Sequence, residues 1–524
     1  LTLALCQCRE KNYETKIQAS QCSRLQGFAV AAPDIGLPTS GAVVQSADAV
    51  SDEADGEYCK IIGIIKPVNR ASPPIEFEVN LPLEWNGRAL QMGGGGYDGT
   101  LVTGLGPFTL QPENVDNPLK QGFATLGGDG GHKGGADFDG RFGLDDEALL
   151  NYGKQSIKKV HDAAVAIMRE AYGRKPDRFY FIGGSQGGHE ALDAAARYPE
   201  DYDGVVSHFP AYNVTMLHLG SLNVGRALYA GGSVGWISPE ETKLITDSVY
   251  DACDHLDHAK DGIISNVNGC NDTVDPQKLR CPNGADAGDH CLSDAQLKTV
   301  RIITSEYSPG FEVAGMEAFP KWPLLEGALF QISNFGSVLQ PSNPLSGKEP
   351  LLYSVGDQTV KYIITRNPEQ DPLEFDPLQW KERIQEVASI MDVTDVSLDK
   401  FRTRGGKIIL THGTADDFIS PHNSVAYYER QVREFTKPVV DTFMRFYLIP
   451  GFGHGFGPFN ARFDSLRALQ DWVEKGKAPD CLTVIDENPD ANRSRPLCEY
   501  PAWPKFTGAP GTESSAESFT CATD

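Results

Sequence analysis

A short strand that must turn through a serine into a helix constrains this chain more than any other stretch of it. Arg178-Phe179-Tyr180-Phe181-Ile182 is aromatic and β-branched, as a buried strand should be. Glu190-Ala191-Leu192-Asp193-Ala194-Ala195-Ala196 is made of strong helix formers. Between them, Gly183-Gly184-Ser185-Gln186-Gly187 fits G-x-S-x-G, with glycines where a side chain would clash with a strained nucleophile backbone. The pattern predicts a nucleophile elbow, with the Ser185 hydroxyl at a helix N-terminus that favours developing negative charge.

At 524 residues and 40% hydrophobic composition, the chain can bury a large core, in several domains or as one hydrolase core with a big insertion. No apolar run is long enough to cross a bilayer. A formal charge of -24 repels phosphate at long range, which argues against nucleic acid or an anionic membrane surface as partner. The eleven cysteines, without a C-x-x-C pair for zinc, predict an oxidising compartment and a secreted protein. Leu1-Thr2-Leu3-Ala4-Leu5 reads either as the stub of a trimmed signal peptide or as a first strand. Asn213-Val214-Thr215, Asn271-Asp272-Thr273 and Asn492-Arg493-Ser494 fit the N-glycosylation pattern.

Strands are expected at Ile61-Ile62-Gly63-Ile64-Ile65, Ile75-Glu76-Phe77-Glu78-Val79 and Arg88-Ala89-Leu90-Gln91-Met92, the last running into Gly93, Gly94, Gly95 and Gly96. Such a glycine run lets backbone approach a ligand closely. A helix over 155–172 feeds the elbow strand, and Asp203-Gly204-Val205-Val206-Ser207 follows as another strand, the β-α-β alternation of a doubly wound sheet. Two further core strands, 407–413 and 445–451, each end in glycine. Between them and Ser207 the alternation gives way to cysteines, prolines and irregular glycine-rich segments. The expectation is an α/β-hydrolase fold in two parts, 1–206 and 399–524, with residues 207–398 inserted as a lid over the sheet's carboxyl edge.

A serine needs an imidazole to take its proton and a carboxylate to hold that imidazole's tautomer; in this fold the chain order is Ser, Asp, His. Asp416 lies just past the strand ending Thr411-His412-Gly413, and His454 just past Pro450-Gly451. Asp417 is adjacent, so spacing alone allows either acid, with the other a solvated surface charge. An oxyanion needs backbone donors after the nucleophile and after an early strand, positions filled by Gln186 and Gly94. Asp254, Asp257 and Asp261 crowd one short loop as an oxygen-rich group suited to calcium, although Ala259 and Ser265 stand where an EF-hand needs Gly and Glu. His255 and His258 alternate with these hard donors and are expected to be exposed. Phe330, Phe335, Tyr353 and Tyr362 are either aromatic walls of a substrate pocket or plain core.

With these residues in place, the chain resembles the tannase and feruloyl esterase family, which includes mono(2-hydroxyethyl) terephthalate hydrolases. The resemblance runs over nearly the whole length. It is carried by Leu83-Glu84-Trp85-Asn86-Gly87-Arg88, the four glycines, Phe123-Ala124-Thr125, Asp129-Gly130-Gly131-His132, Phe181-Ile182-Gly183 with Ser185, Cys253-Asp254, Asp261-Gly262-Ile263, Arg404-Gly405-Gly406-Lys407 and Arg495-Pro496-Leu497-Cys498. It implies Asp416 as the acid, the amides of Gly94 and Gln186 as oxyanion donors, and a structural calcium held also by the backbone oxygens of Ala259 and Ile263. It further implies disulfides joining Cys22 with Cys59, Cys253 with Cys270, Cys281 with Cys291, and Cys498 with Cys521. Cys6, Cys8 and Cys481 are left over, and an odd total leaves at least one thiol free or joined to another molecule.

The family usually bridges a cysteine before the serine to one after the histidine; here those positions are Gly184 and Gly455. The expected activity is a serine esterase cleaving esters of aromatic acids through an acyl-enzyme, without an organic cofactor. Feruloyl or hydroxycinnamoyl esters from plant cell walls come first, with galloyl esters or terephthalate monoesters as alternatives. A non-catalytic binding module that kept the fold is the alternative of another class.

Overall fold

The computed structural model describes residues 16–134, 138–331, 333–394 and 397–523. Leu1-Thr2-Leu3-Ala4-Leu5, Cys6 and Cys8 lie outside the described residues. Ten strands form the main sheet: β1 (Ala29–Val30), β2 (Ala42–Asp52), β3 (Gly56–Ile65), β4 (Ile75–Pro82), β5 (Arg88–Met92), β6 (Ala124–Gly128), β7 (Arg178–Gly184), β8 (Gly204–His208), β9 (Lys407–Gly413) and β10 (Met444–Ile449). Their order is β1-β2-β3-β4-β6-β5-β7-β8-β9-β10. From β6 through β10 all neighbours are parallel, and β1 to β4 extend one edge antiparallel. The fold is that of an α/β hydrolase.

Alternation along β7 divides the core. Phe179 and Phe181 point to one face of the sheet, where they join α1 (Ser156–Tyr172), α2 (Gln186–Arg197) and Tyr427 and Tyr428 of a later helix. Tyr180 and Ile182 point to the other face and meet Leu466, Leu469 and Trp472. Each such fully buried apolar side chain contributes roughly 1.5–3 kcal/mol.

The segment between β8 and β9 builds a core of its own. Where the sequence suggests irregular chain, the structure has α3 (Val214–Ser233), α4 (Pro239–Cys253), α5 (Asp294–Ile303), α6 (Leu351–Gln358) and α7 (Lys381–Met391). Of α3, Val214 through Leu222 are all buried, so no polar face marks its start as a helix. Ser238 and Ser293 cap α4 and α5 in reciprocal capping boxes.

The structure contains all four disulfides, Cys22–Cys59, Cys253–Cys270, Cys281–Cys291 and Cys498–Cys521, and Cys481 is a free, exposed thiol. Among the described residues no helix is long and apolar enough to cross a membrane. Asn213 is fully buried and its side chain pairs with Asn423, so the first of the three glycosylation patterns is closed in the folded chain.

Candidate active site

Parallel strands β7, β9 and β10 all end at one edge of the sheet, and the loops that follow them bring Ser185, Asp416 and His454 together. Ser185 adopts φ 59° and ψ -120°, a conformation rare for a side chain, at the junction of β7 and α2. Its N–H donates to His208 O at 3.0 Å, which fixes the turn to β8. Ser185 Oγ lies 3.0 Å from His454 Nε2, and His454 Nδ1 lies 2.8 Å from Asp416 Oδ2. An ionised Asp416 can only accept, so Nδ1 carries the proton and Nε2 is left to receive the serine's.

Asp416 is fully buried and held by more than the histidine. Its Oδ1 accepts the N–H groups of Phe418 and Ile419 at 3.0 and 2.9 Å, and His412 Nε2 stands 3.3 Å from Oδ2. Burial opposes the charge, but His454 and His412 outweigh it and hold this carboxyl well below the usual carboxylate range. For His454, burial pulls the pKa down while the charge and hydrogen bond of Asp416, helped by Asp417, more than reverse it; the net direction is upward. Asp417 is not the solvated charge expected of the unused acid: it is 4% exposed and accepts the Ser333 N–H at 3.1 Å.

The oxyanion assignment needs a correction at Gly94. Its N–H donates to Glu190 Oε2 at 2.8 Å and its carbonyl accepts from the Gly187 N–H at 3.0 Å, so the residue is gripped by α2 through both of its peptide groups. In a trans peptide the next N–H points opposite to the carbonyl. The Gly95 amide is thus turned from Gly187 towards the Asp98 carboxyl, whose charged form it favours. Gln186, as the first residue of α2, has no intrahelical acceptor for its own N–H, which suits the role expected of it. Glu190 and Asp98 were not legible as site residues. Burial, opposed by the Gly94 amide and reinforced by Asp193, pushes Glu190 up to about 7. Burial, joined by the charges of Glu190 and Asp129 and opposed by the Gly95 amide, pushes the Asp98 carboxyl well above the usual carboxylate range.

A cavity of about 530 Å³ opens on Ser185 and His454, walled by the four glycines, Leu101, Val102, Phe138, Leu351 and Phe418. Phe138 and Leu351 also line a second cavity, of about 1270 Å³. Phe330, Phe335 and Tyr362 line that larger one; Tyr353 instead packs against Tyr229, ring centroids 5.1 Å apart.

In the acidic loop, Asp254 Oδ1, Asp257 Oδ1 and Asp261 Oδ1 each accept a loop amide, from Gly262, Ala259 and Ile263 respectively. Burial pushes the Asp257 carboxyl up to about 6, against the hydrogen bonds of Ser265 and Ala259. Arg495 pairs with Asp261 Oδ2, and Arg493 donates to the Asp261 carbonyl. His255 and His258 are exposed. Hard oxygen donors are the chemistry a divalent cation takes, but Asp254, Asp257 and Asp261 do not each bring a ligand atom within 4.8 Å of the others. Among the described residues, three ligand atoms lie within 4.8 Å of one another only at His161, Asp162 and Asp201. There Lys158 Nζ already bonds Asp162 at 2.7 Å and Asp201 at 3.0 Å.

Fold and site together define a carboxylic ester hydrolase of the α/β-hydrolase type. A family model described as tannase and feruloyl esterase matches residues 59–522, and the chain belongs to that family. It is 39% identical to an uncharacterized esterase of Agrobacterium fabrum, over 97% of this chain and 94% of that one. Identity to the mono(2-hydroxyethyl) terephthalate hydrolase of Piscinibacter sakaiensis is 31%, over 89% and 85% of the two chains. The crystal structure of feruloyl esterase B from Aspergillus oryzae superposes with a TM-score of 0.77 at 22% identity, covering 94% of this chain and 100% of that one.

Proposed function

We propose that the protein is a secreted serine esterase that hydrolyses carboxylic esters of aromatic acids, feruloyl and other hydroxycinnamoyl esters first. The observation that carries this is the continuous hydrogen-bond chain from Ser185 Oγ through His454 to Asp416. Ser185 Oγ attacks the acyl carbon as His454 Nε2 takes its proton; the oxyanion is held by Gln186 N–H and a glycine-loop amide. His454 then gives that proton to the departing alcohol, leaving an acyl-enzyme. Water repeats the sequence: it loses a proton to His454, attacks the acyl carbon, and releases the acid while Ser185 regains its proton.

Aromatic walls at Phe138, Phe418, Phe330, Phe335 and Tyr362 support an aromatic substrate. Leu351 reaches the catalytic cavity from the segment between β8 and β9, which acts as the lid. In the acidic loop, Asp254, Asp257 and Asp261 with the carbonyls of Ala259 and Ile263 hold calcium, which supplies positive charge to a buried acidic turn and no chemistry at the ester. Four disulfides support an oxidising, extracellular setting.

The similarity to a terephthalate monoester hydrolase makes that ester the second substrate to try. The test is a panel of methyl ferulate, methyl gallate and a terephthalate monoester, with the parent protein and Ser185→Ala. Acid released by the parent alone, fastest from the ferulate, is the expected result; faster gallate or terephthalate turnover reassigns the acyl group, and equal turnover by Ser185→Ala overturns the mechanism.

A further inference from the structure

Directly after β8, Phe209 carries φ 34°, where residues other than glycine rarely sit. Its N–H is pinned to Thr411 O of β9 at 2.7 Å, and the residue is 5% exposed. The ring meets the His454 imidazole edge to face, with centroids 4.8 Å apart and planes at 61°. Phe418 meets the same imidazole from a second direction, at 5.3 Å and 84°. The Cζ and Cε2 atoms of the same ring fill the space in front of Gly184, the residue before the nucleophile. A Cβ placed on Gly184 would stand 2.7 Å from that ring and 3.0 Å from Thr109 Cγ2. Phe209 does not line the catalytic cavity, so any effect it has on turnover passes through the residues its ring touches, His454 and the turn at Gly184.

We propose that Phe209 is the positioning residue that keeps His454 Nε2 aimed at Ser185 Oγ, and that residue 184 is glycine because this ring occupies the space a side chain would need. The bond to Asp416 fixes one end of the imidazole but leaves it free to swing about that bond. Two rings packed from different directions remove the swing. The strained backbone at Phe209 is the local cost of delivering the ring between the serine turn and the histidine loop, and the hydrogen bond to Thr411 holds it there. Gly455 has φ +95°, so a side chain at that position would also be strained, and no covalent tie between residues 184 and 455 forms without displacing the Phe209 ring.

This inference rests on the Ser185, His454 and Asp416 reading, and the experiment separates the two. Phe209→Ala, Phe209→Leu, Gly184→Ala and the Gly184→Ala/Phe209→Leu double variant are assayed on methyl ferulate, with rates normalised to sites titrated by a fluorophosphonate. Phe209→Ala is expected to lower kcat roughly 10- to 100-fold, the cost of a misplaced reacting group. KM should stay within about twofold, because the ring does not touch substrate. Phe209→Leu should recover part of the loss. Gly184→Ala should also lose kcat, and the double variant should retain more activity than the product of the two single losses. A full kcat per titrated site in Phe209→Ala, or single losses that simply multiply, overturns the proposal. Should Phe209→Ala not fold, the leucine variant and the double variant decide it. If Ser185→Ala keeps turnover, the underlying mechanism fails; if Ser185→Ala is dead while the Phe209 variants are unimpaired, only the positioning role fails.

Discussion

The catalytic edge and the acidic loop both bury carboxylates, yet they end in opposite electrostatic states. At the edge, Asp416 has two backbone N–H groups on one oxygen and two histidines beside the other, and it ionises more readily than a free carboxyl. In the loop, Asp257 has only Ala259 and Ser265 to set against its burial, and it ionises less readily. Burial alone raises the cost of a charge; the sign of the outcome is set by how many donors the fold aims at it. The first site is complete within one chain. The second leaves a carboxylate whose charge burial makes costly.

The largest effects should break the catalytic edge. Ser185→Ala and His454→Ala are each expected to reduce kcat by at least about 10⁴-fold while leaving the melting temperature nearly unchanged. Asp416→Asn should approach the same loss, because the amide supports the wrong imidazole tautomer. Asp417→Asn should cost far less. Steady-state kinetics on one ester checks the order, and a larger loss for Asp417→Asn would exchange the two acids.

Next in size is the response of the acidic loop to its cation. A ligand bound only by the folded state stabilises it by about 2.7 kcal/mol at a hundred times its dissociation constant. Calcium should raise the melting temperature, chelator should lower it, and Asp257→Asn should abolish both shifts without altering kcat at low temperature. A protein that binds no calcium by metal analysis and melts identically with and without chelator leaves only an acidic turn.

Glu190→Gln is expected to do less. The glutamine carbonyl can still accept the Gly94 N–H, and a carboxyl pushed up to about 7 is already partly neutral at that pH, so the loss is at most that between a charged and a neutral acceptor, about 1 kcal/mol or roughly fivefold in kcat. Glu190→Ala should cost more.

The finest test is pH. His454 must be unprotonated to act as base, and its pKa lies above the usual 6.5, so kcat/KM should fall on the acid side with a midpoint above that value. The group's share of folding stability has the matching sign: it is present below 6.5 and is lost as pH rises through the raised value. Asp416→Asn should move the residual acid limb downward.

Much of the molecule is local pattern and was readable in the chain. Strands β5, β7, β8, β9 and β10 announce themselves because parallel core strands are short apolar runs, and the antiparallel β3 and β4 by their isoleucine, phenylalanine and valine content. Ser185, the region of Asp416 and Asp417, and His454 follow from chain order and from where parallel strands end. Helix α3 escaped because its first nine residues, Val214 through Leu222, are buried all round and leave no amphipathic period to find.

What only tertiary structure decided is which neighbouring groups meet. Asp416 and Asp417 are adjacent and alike, and only the fold aims His454 and two amides at one while burying the other against Ser333. Gly94 was placed correctly in a loop beside the nucleophile, but its amide belongs to Glu190, a helix residue that carries no motif. Phe209 is one of 25 phenylalanines and nothing in its sequence context marks it out. Its packing between Gly184 and His454 joins positions far apart in the chain, and periodicity and spacing report only on neighbours within a strand or a helix turn.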